Sequence, residues 1–564
     1  MSVEAQAATP LVDVRGLQVR FPVAGGLRTV VEGLDLRIEA GECVALVGES
    51  GSGKSVTARA LIDLAGPGAQ VQAERFLIDG ADARAFAAAD WRRLRGTFAG
   101  LVMQDALVSL DPLRPIGAEV GEVLTQHLLL RGRTAVRRRV IDTLSQVGMP
   151  EPEQRLHQHA HELSGGLRQR ALIAAAIAAG PRLIIADEPT TALDAALQQQ
   201  VIGLLAERVR ASGAGLLLIS HDLSAVAGIA DRVIVMRAGR VVESGPTREV
   251  LAWPREAYTR QLIAAVPSAS SRGNRLASAR FVRDEGSAPP RVRIEREPLP
   301  PRQPPSGEPV LRVQGIGKRY RRRGLRAQPA FVALADVSFE VRAGEVLGLV
   351  GASGSGKSTC ARIVLGLDEP DAGNVQLLGQ PWSGRPEPSR RALRPKLQYI
   401  PQDPLSSFDP RYCVRDVVTQ NLPGLRGEVR DARVRGLLAQ VGLAADLLDR
   451  LPRTLSGGQR QRLAIARALA AEPQLIVCDE PVSALDVSIQ AQVIDLIGEL
   501  QSRLGTALLF ISHDINLVRH VADRVVVLDQ GRVVEQGPVD EVLARPAHAY
   551  TRSLLAAVPP ALVG

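Results

Sequence analysis

Two glycine-rich octapeptides, GESGSGKS from Gly48 and GASGSGKS from Gly351, carry the residue types that hold a triphosphate. Each follows an apolar run and opens a helical pattern, the context a G-x-x-x-x-G-K-S loop needs. Gly51, Gly53, Gly354 and Gly356 let backbone N–H groups approach phosphate without a Cβ in the way. The helix N-terminus behind each loop favours anions. Lys54 and Lys357 are placed to reach the β- and γ-phosphates, and the hydroxyls of Ser55 and Ser358 to meet Mg²⁺.

Further acids and imidazoles follow in both halves. Asp187 and Asp479 end apolar strands, so their carboxylates emerge at the phosphate end of a sheet and can hold Mg²⁺. Glu188 and Glu480 come next, where a carboxylate polarises the attacking water as general base. His221 and His513, each 33 residues after its glutamate, close the following strand. An imidazole there contacts the γ-phosphate or orients the water.

LSGG occurs at Leu163 and again at Leu455, each time before a helical run. Ser164, Gly165 and Gly166, and likewise Ser456, Gly457 and Gly458, therefore form a second anion site at a helix N-terminus. One triphosphate does not need two such sites from one domain. The expectation is that LSGG of one half caps ATP held by the P-loop of the other.

These motifs need a scaffold, and the chain supplies it twice. From LSGG onward the halves keep a constant offset of 292 residues, the size of a large domain. Alternating apolar residues (Leu17, Val19, Phe21; Leu34, Leu36, Ile38; Val337, Phe339, Val341) predict antiparallel strands. The runs VALVG from Val44, VLGLVG from Val346, LIIADE from Leu183 and LLLISHD from Leu216 predict buried parallel strands with chemistry at their C-terminal ends. The fold class is α/β: two tandem P-loop NTPase domains, each with a parallel core, an antiparallel β region and a helical subdomain before LSGG. The boundaries read as 1–267 and 310–564 for the domains. Residues 268–309, rich in proline and arginine, read as a semi-extended linker.

Each domain ends on a near-identical tail, EVLAWPREAYTRQLIAAVP from Glu249 and EVLARPAHAYTRSLLAAVP from Glu541, with 14 of 19 positions shared. Such identity exceeds what packing alone requires, although a recent duplication would also produce it.

Composition is that of a globular chain, 45% hydrophobic and 23% charged. No apolar stretch reaches the length of a membrane span, and the N-terminus lacks a signal-peptide pattern. The four cysteines (Cys43, Cys360, Cys413, Cys478) show no metal-ligand spacing and read as reduced hydrophobes. The net charge of +9 suits an anionic membrane face or nucleic acid, and equally a solvated surface. His157, His159 and His161 suggest a metal cluster, but the second half shares none of them, and a solvent-facing run is the plainer reading.

With these motifs the chain resembles the ATP-binding cassette (ABC) family over nearly its whole length. The resemblance implies two composite sites for ATP and Mg²⁺. One joins Lys54, Asp187, Glu188 and His221 to Ser456 and Gly458; the other joins Lys357, Asp479, Glu480 and His513 to Ser164 and Gly166. It implies that Gln104 and Gln402 touch Mg²⁺ and a membrane partner, and that Asp194 and Asp486 couple the sites. Phe21 and Tyr320 fall where the family stacks an aromatic ring on adenine; an ordinary core role is the alternative. Leu167, standing where the second half has Gln459, departs from the pattern and points to unequal turnover.

QDALVSLDP from Gln104, QDPLSSFDP from Gln402 and the AYTR tails look like the peptide and nickel importer ATPases, here fused. That implies a peripheral ATPase on the cytoplasmic face of the inner or plasma membrane. It would work with two transmembrane permease subunits, supplied indirectly by an extracytoplasmic solute-binding protein. Nucleic acid is not an expected partner, and the two halves are expected to pair within one chain. The competing expectation is a soluble twin-cassette ATPase acting on ribosomes or DNA.

Overall fold

The computed structural model describes residues 9–23, 25–190, 195–284, 291–302, 304–320 and 331–557. Each half builds a six-stranded sheet with the same strand order. In the first half Cys43–Val47, the strand leading into the P-loop, lies between Gly215–Ile219 and Arg232–Arg237. Leu183–Asp187 and Ala99–Val102 continue the parallel set on one side, and Arg240–Pro246 closes the other edge antiparallel. In the second half Val346–Val350 holds the central place, between Ala507–Ile511 and Arg524–Asp529. Central strands such as Leu216–Ile219 are fully buried, as continuous apolar runs covered on both faces must be.

A second, antiparallel sheet accompanies each core. Val12–Val23 pairs with Gly26–Ile38, and Ser306–Tyr320 pairs with Phe331–Ala343. The expected alternation is present: Val12, Val14, Leu17 and Val19 face inward and join Leu34, Leu36 and Ile38 in one apolar cluster. The helical subdomain packs Ile116–Gln126 and Arg133–Gln146 on the LSGG helix Gly165–Ile177. Its counterpart packs Val414–Thr419 and Gly427–Gln440 on Gly457–Ala470.

The connector is docked rather than free where it is described. Leu276 is buried in the core of the second cassette, together with Ala265 from the first tail. The N–H groups of Leu276 and Ala277 each donate to Asp495 at 2.8 Å. Arg272 pairs with Asp540, Arg275 with Glu499, and Arg302 with Asp523. Composition hid this because one leucine and partner carboxylates on the other cassette do the anchoring. The Ser271 hydroxyl lies 2.8 Å from His520 Nδ1, and burial plus the nearby arginines pushes that imidazole down to about 4.

Three of the cysteines, Cys43, Cys360 and Cys478, are buried, and burial pushes their thiols up to about 12. They are packing residues, not nucleophiles. His159 and His161 stack with ring centroids 5.6 Å apart, and the His159 N–H donates to Glu162 at 2.8 Å.

Candidate functional site

Each P-loop closes on its own lysine. Lys54 Nζ donates to the carbonyls of Gly48 and Glu49, both at 2.8 Å, and Lys357 Nζ to those of Gly351 and Ala352 at 2.7 and 2.9 Å. Both lysines are buried. Burial lowers the Lys54 pKa against the opposing pull of Glu188, Asp486, Asp187 and Glu49. Gly48 and Gly351 admit no side chain, since a Cβ would lie 2.1 Å from the Met236 carbonyl oxygen or 2.2 Å from that of Leu528.

Ser55 opens the P-loop helix and donates to Asp187 Oδ1 at 2.7 Å. Arg59, one turn on, reaches the other oxygen of the same carboxylate at 3.2 Å. A hydroxyl and a carboxylate so placed suit a hard divalent cation. In the second half Tyr399 donates to Asp479 Oδ2 at 3.3 Å instead, and Ser358 begins the matching helix. Burial raises the pKa of both aspartates.

The structure brings three of the expected residues together in each half. Gln104 Nε2 donates to Glu188 at 2.7 Å, and His221 Nδ1 lies 3.5 Å from the same carboxylate. Gln402 donates to Glu480 at 2.9 Å, and His513 Nδ1 lies 3.0 Å from it. Both glutamates sit at positive φ, 48° and 47°, although each N–H still bonds the next strand, to Ile219 or Ile511. Left-handed backbone at a non-glycine is stored strain that clusters at functional sites, and here it turns the carboxylate out of the ladder. Burial opposes charge on His221 and His513, but the glutamate bond and charge prevail and raise both. For Glu480 burial acts upward, yet the bond and charge of His513 hold it below the usual carboxylate range.

The histidines are aimed by their neighbours. Ser220 and Ser512 accept the N–H of Asp222 and Asp514 at 3.0 Å. Those aspartates cap the helices that follow, accepting from Ser224 and Ala225, and from Leu517. The serine and aspartate of SHD thus fix the turn, which motif reading alone did not assign.

The two LSGG turns differ. The Ser456 hydroxyl accepts the Gln459 N–H at 3.3 Å while Gln459 Oε1 accepts the Ser456 N–H at 3.0 Å, a reciprocal cap. Ser164 makes no side-chain cap, and Leu167 packs on the core of its own cassette. A Cβ on Gly166 would meet Leu197 at 2.9 Å, and one on Gly458 would meet Ile489 at 2.5 Å. Gly165 and Gly457 precede them on the exposed first turn.

Phe21 is half-buried against the core of its antiparallel sheet. Tyr320 is exposed, donates to Asp368 at 2.9 Å and carries Lys318 Nζ 5.7 Å from its ring centroid.

The halves meet at these sites. Asp486 accepts the Ser50 N–H of the first P-loop at 3.4 Å, and Ser488 donates to Glu49 at 2.6 Å. Asp194 lies outside the described residues. A cavity of about 560 Å³ separates the cassettes, lined by Glu188 and His221 on one side and by Gln402, Glu480 and His513 on the other. Among the described residues no helix is long and apolar enough to cross a membrane.

Residues 31–191 and 334–483 match the family described as ABC transporter. Residues 242–323 and 534–562 match the C-terminal region of the oligopeptide/dipeptide transporters. The oligopeptide transport ATP-binding protein OppD of Mycobacterium tuberculosis is 39% identical over 98% of both chains. The peptidoglycan transport ATP-binding protein YejF of Agrobacterium fabrum is 39% identical over 97% of this chain and 96% of its own. The glutathione import ATP-binding protein GsiA of Pectobacterium atrosepticum is 39% identical over 97% of this chain and 89% of its own. The chain therefore belongs to the ABC transporter ATPases, and it carries two of their cassettes with an oligopeptide/dipeptide-type tail after each.

Proposed function

We propose that this chain, peripheral on the cytoplasmic face of a membrane, hydrolyses ATP to drive import of peptides or peptide-like solutes through two separate transmembrane permease subunits. An extracytoplasmic binding protein would deliver the solute. The observation that carries the reading is the pairing of two Gln–Glu–His clusters whose glutamates and histidines line one cavity, in a chain with AYTR tails. The relatives named above, whose names specify oligopeptide, peptidoglycan and glutathione, support the solute class.

In each site the P-loop amides and Lys54 or Lys357 bind the triphosphate. Mg²⁺ fits Ser55 with Asp187 and Ser358 with Asp479, with Gln104 or Gln402 beside it; when bound it neutralises charge on the phosphates. Glu188 or Glu480 accepts the proton of the attacking water. His221 or His513, held against that glutamate, faces the γ-phosphate. Phe21 and Tyr320 offer a ring to the adenine. Ser164 to Gly166 and Ser456 to Gly458 cap the nucleotide of the opposite cassette, so binding draws the halves together and hydrolysis releases them.

Purification from membranes tests the assignment. Recovery of two permeases, and ATPase activity raised by a peptide in the reconstituted complex, is expected. Recovery of ribosomes or DNA instead would replace this reading with that of a soluble twin-cassette ATPase.

A further inference from the structure

The near-identical tails have no part in the chemistry above, yet they reach it. The Tyr258 hydroxyl accepts the N–H of Glu49 at 3.0 Å, and the Tyr550 hydroxyl accepts the N–H of Ala352 at 2.8 Å. Glu49 and Ala352 are the second residues of their P-loops. Their carbonyls are two of the acceptors that hold Lys54 and Lys357. One residue in each loop thus carries the tail tyrosine on its N–H and the phosphate lysine on its C=O.

The tails are built to aim that hydroxyl. Glu243, on the outermost strand, accepts the N–H groups of Arg255 and Glu256 at 2.8 and 3.2 Å, just ahead of the helix Ala257–Ala264. Glu535 does the same for Ala547 and His548 at 2.8 and 3.1 Å, ahead of Ala549–Ala556. Arg237 stacks 4.9 Å over the Tyr258 ring, and burial pushes that phenol up to about 12, so it stays neutral.

We infer that Tyr258 and Tyr550 are positioning residues for ATP binding: each holds the entry of its P-loop in the phosphate-binding shape from outside the motif. When the lysine turns to phosphate it must release the loop carbonyls, and the tyrosine bond is what then fixes the second residue. The inference rests on the P-loops binding ATP. It also gives one of the 14 shared tail positions, Tyr258 and Tyr550, a role beyond packing.

Tyr258→Phe combined with Tyr550→Phe removes only the two hydroxyls and leaves an unpaired N–H in each loop. In the full chain, the ATP dissociation constant and KM should rise about fivefold with kcat unchanged, the pattern of lost uniform binding, while the two lost bonds lower the nucleotide-free melting temperature slightly. A purely structural tail would lower the melting temperature alone and leave ATP affinity intact; that result, or a fall in kcat at constant KM, would overturn the inference. Should the double variant not fold, Tyr258→Phe alone, measured beside Lys357→Ala so that one P-loop binds, is read the same way. Absence of saturable ATP binding by the unaltered chain would remove the nucleotide reading itself; normal binding by both chains would remove only the tyrosine role.

Discussion

Ser488 of the second cassette donates its hydroxyl proton to Glu49 in the P-loop of the first across 2.6 Å. Beside it Asp486 takes the Ser50 N–H. In the repeat the corresponding positions hold Ala196 and Ala352, which can neither donate nor accept through a side chain. The Ser488–Glu49 side-chain bond therefore has no counterpart in residue type at the other P-loop, a difference that adds to the one between Leu167 and Gln459.

Ser488→Ala and Glu49→Ala should be non-additive, with a coupling of about 1 kcal/mol for the lost hydrogen bond. A double-mutant cycle on thermal unfolding of the full chain measures it. Additive effects would show that the contact does not join the cassettes.

Glu188→Gln with Glu480→Gln should cut phosphate release by about 10²-fold or more, the scale of a lost general base. ATP should remain bound. Undiminished phosphate release by the double variant would remove both glutamates from the chemistry.

The Glu480–His513 pair fixes a pH dependence. Histidine's ordinary pKa is 6.5, and in the fold it is raised. Its share of stability is complete below that ordinary value and is lost as pH rises through the folded one. The share of Glu480, whose pKa is depressed, is present above its ordinary 4.5 and is lost as pH falls through the folded value. Glu480→Gln removes the negative charge and leaves burial and the charge of Asp514, so the His513 pKa should fall in that variant. An NMR titration of the imidazole reads this directly; an unmoved pKa would mean the glutamate does not set it.

Much of the fold was legible because the motifs carry their own context. An apolar run, a glycine loop and a helix at Cys43 to Ala60 leave one arrangement open, and the strand-end acids at Asp187 and Asp479 follow from it. What was illegible depended on partners distant in sequence. Tyr258 lies 209 residues from Glu49, and Ser488 lies 439 from it, so no local pattern links them. The shared tails stand out in the sequence, but nothing in them says what Tyr258 and Tyr550 touch. The docking of the connector was not legible in its proline content, since its anchor, Asp495, belongs to another domain. The positive φ at Glu188 and Glu480 carries no compositional mark either.

Gly458→Ala should destabilise the second cassette by about 1–3 kcal/mol, because its Cβ would collide with Ile489. Adding Ile489→Ala opens the space, so the double variant should be more stable than the sum of the two single changes. Full stability of Gly458→Ala alone would show that the turn has room to shift.

The central claim is that each triphosphate lies between the P-loop of one cassette and the LSGG turn of the other. A structure of the Glu188→Gln, Glu480→Gln chain with ATP and Mg²⁺ tests it most directly. The account predicts Ser456 and Gly458 against the γ-phosphate held by Lys54, and Ser164 and Gly166 against that held by Lys357. Nucleotide bound at both P-loops with the LSGG turns directed away from the opposite cassette would contradict it.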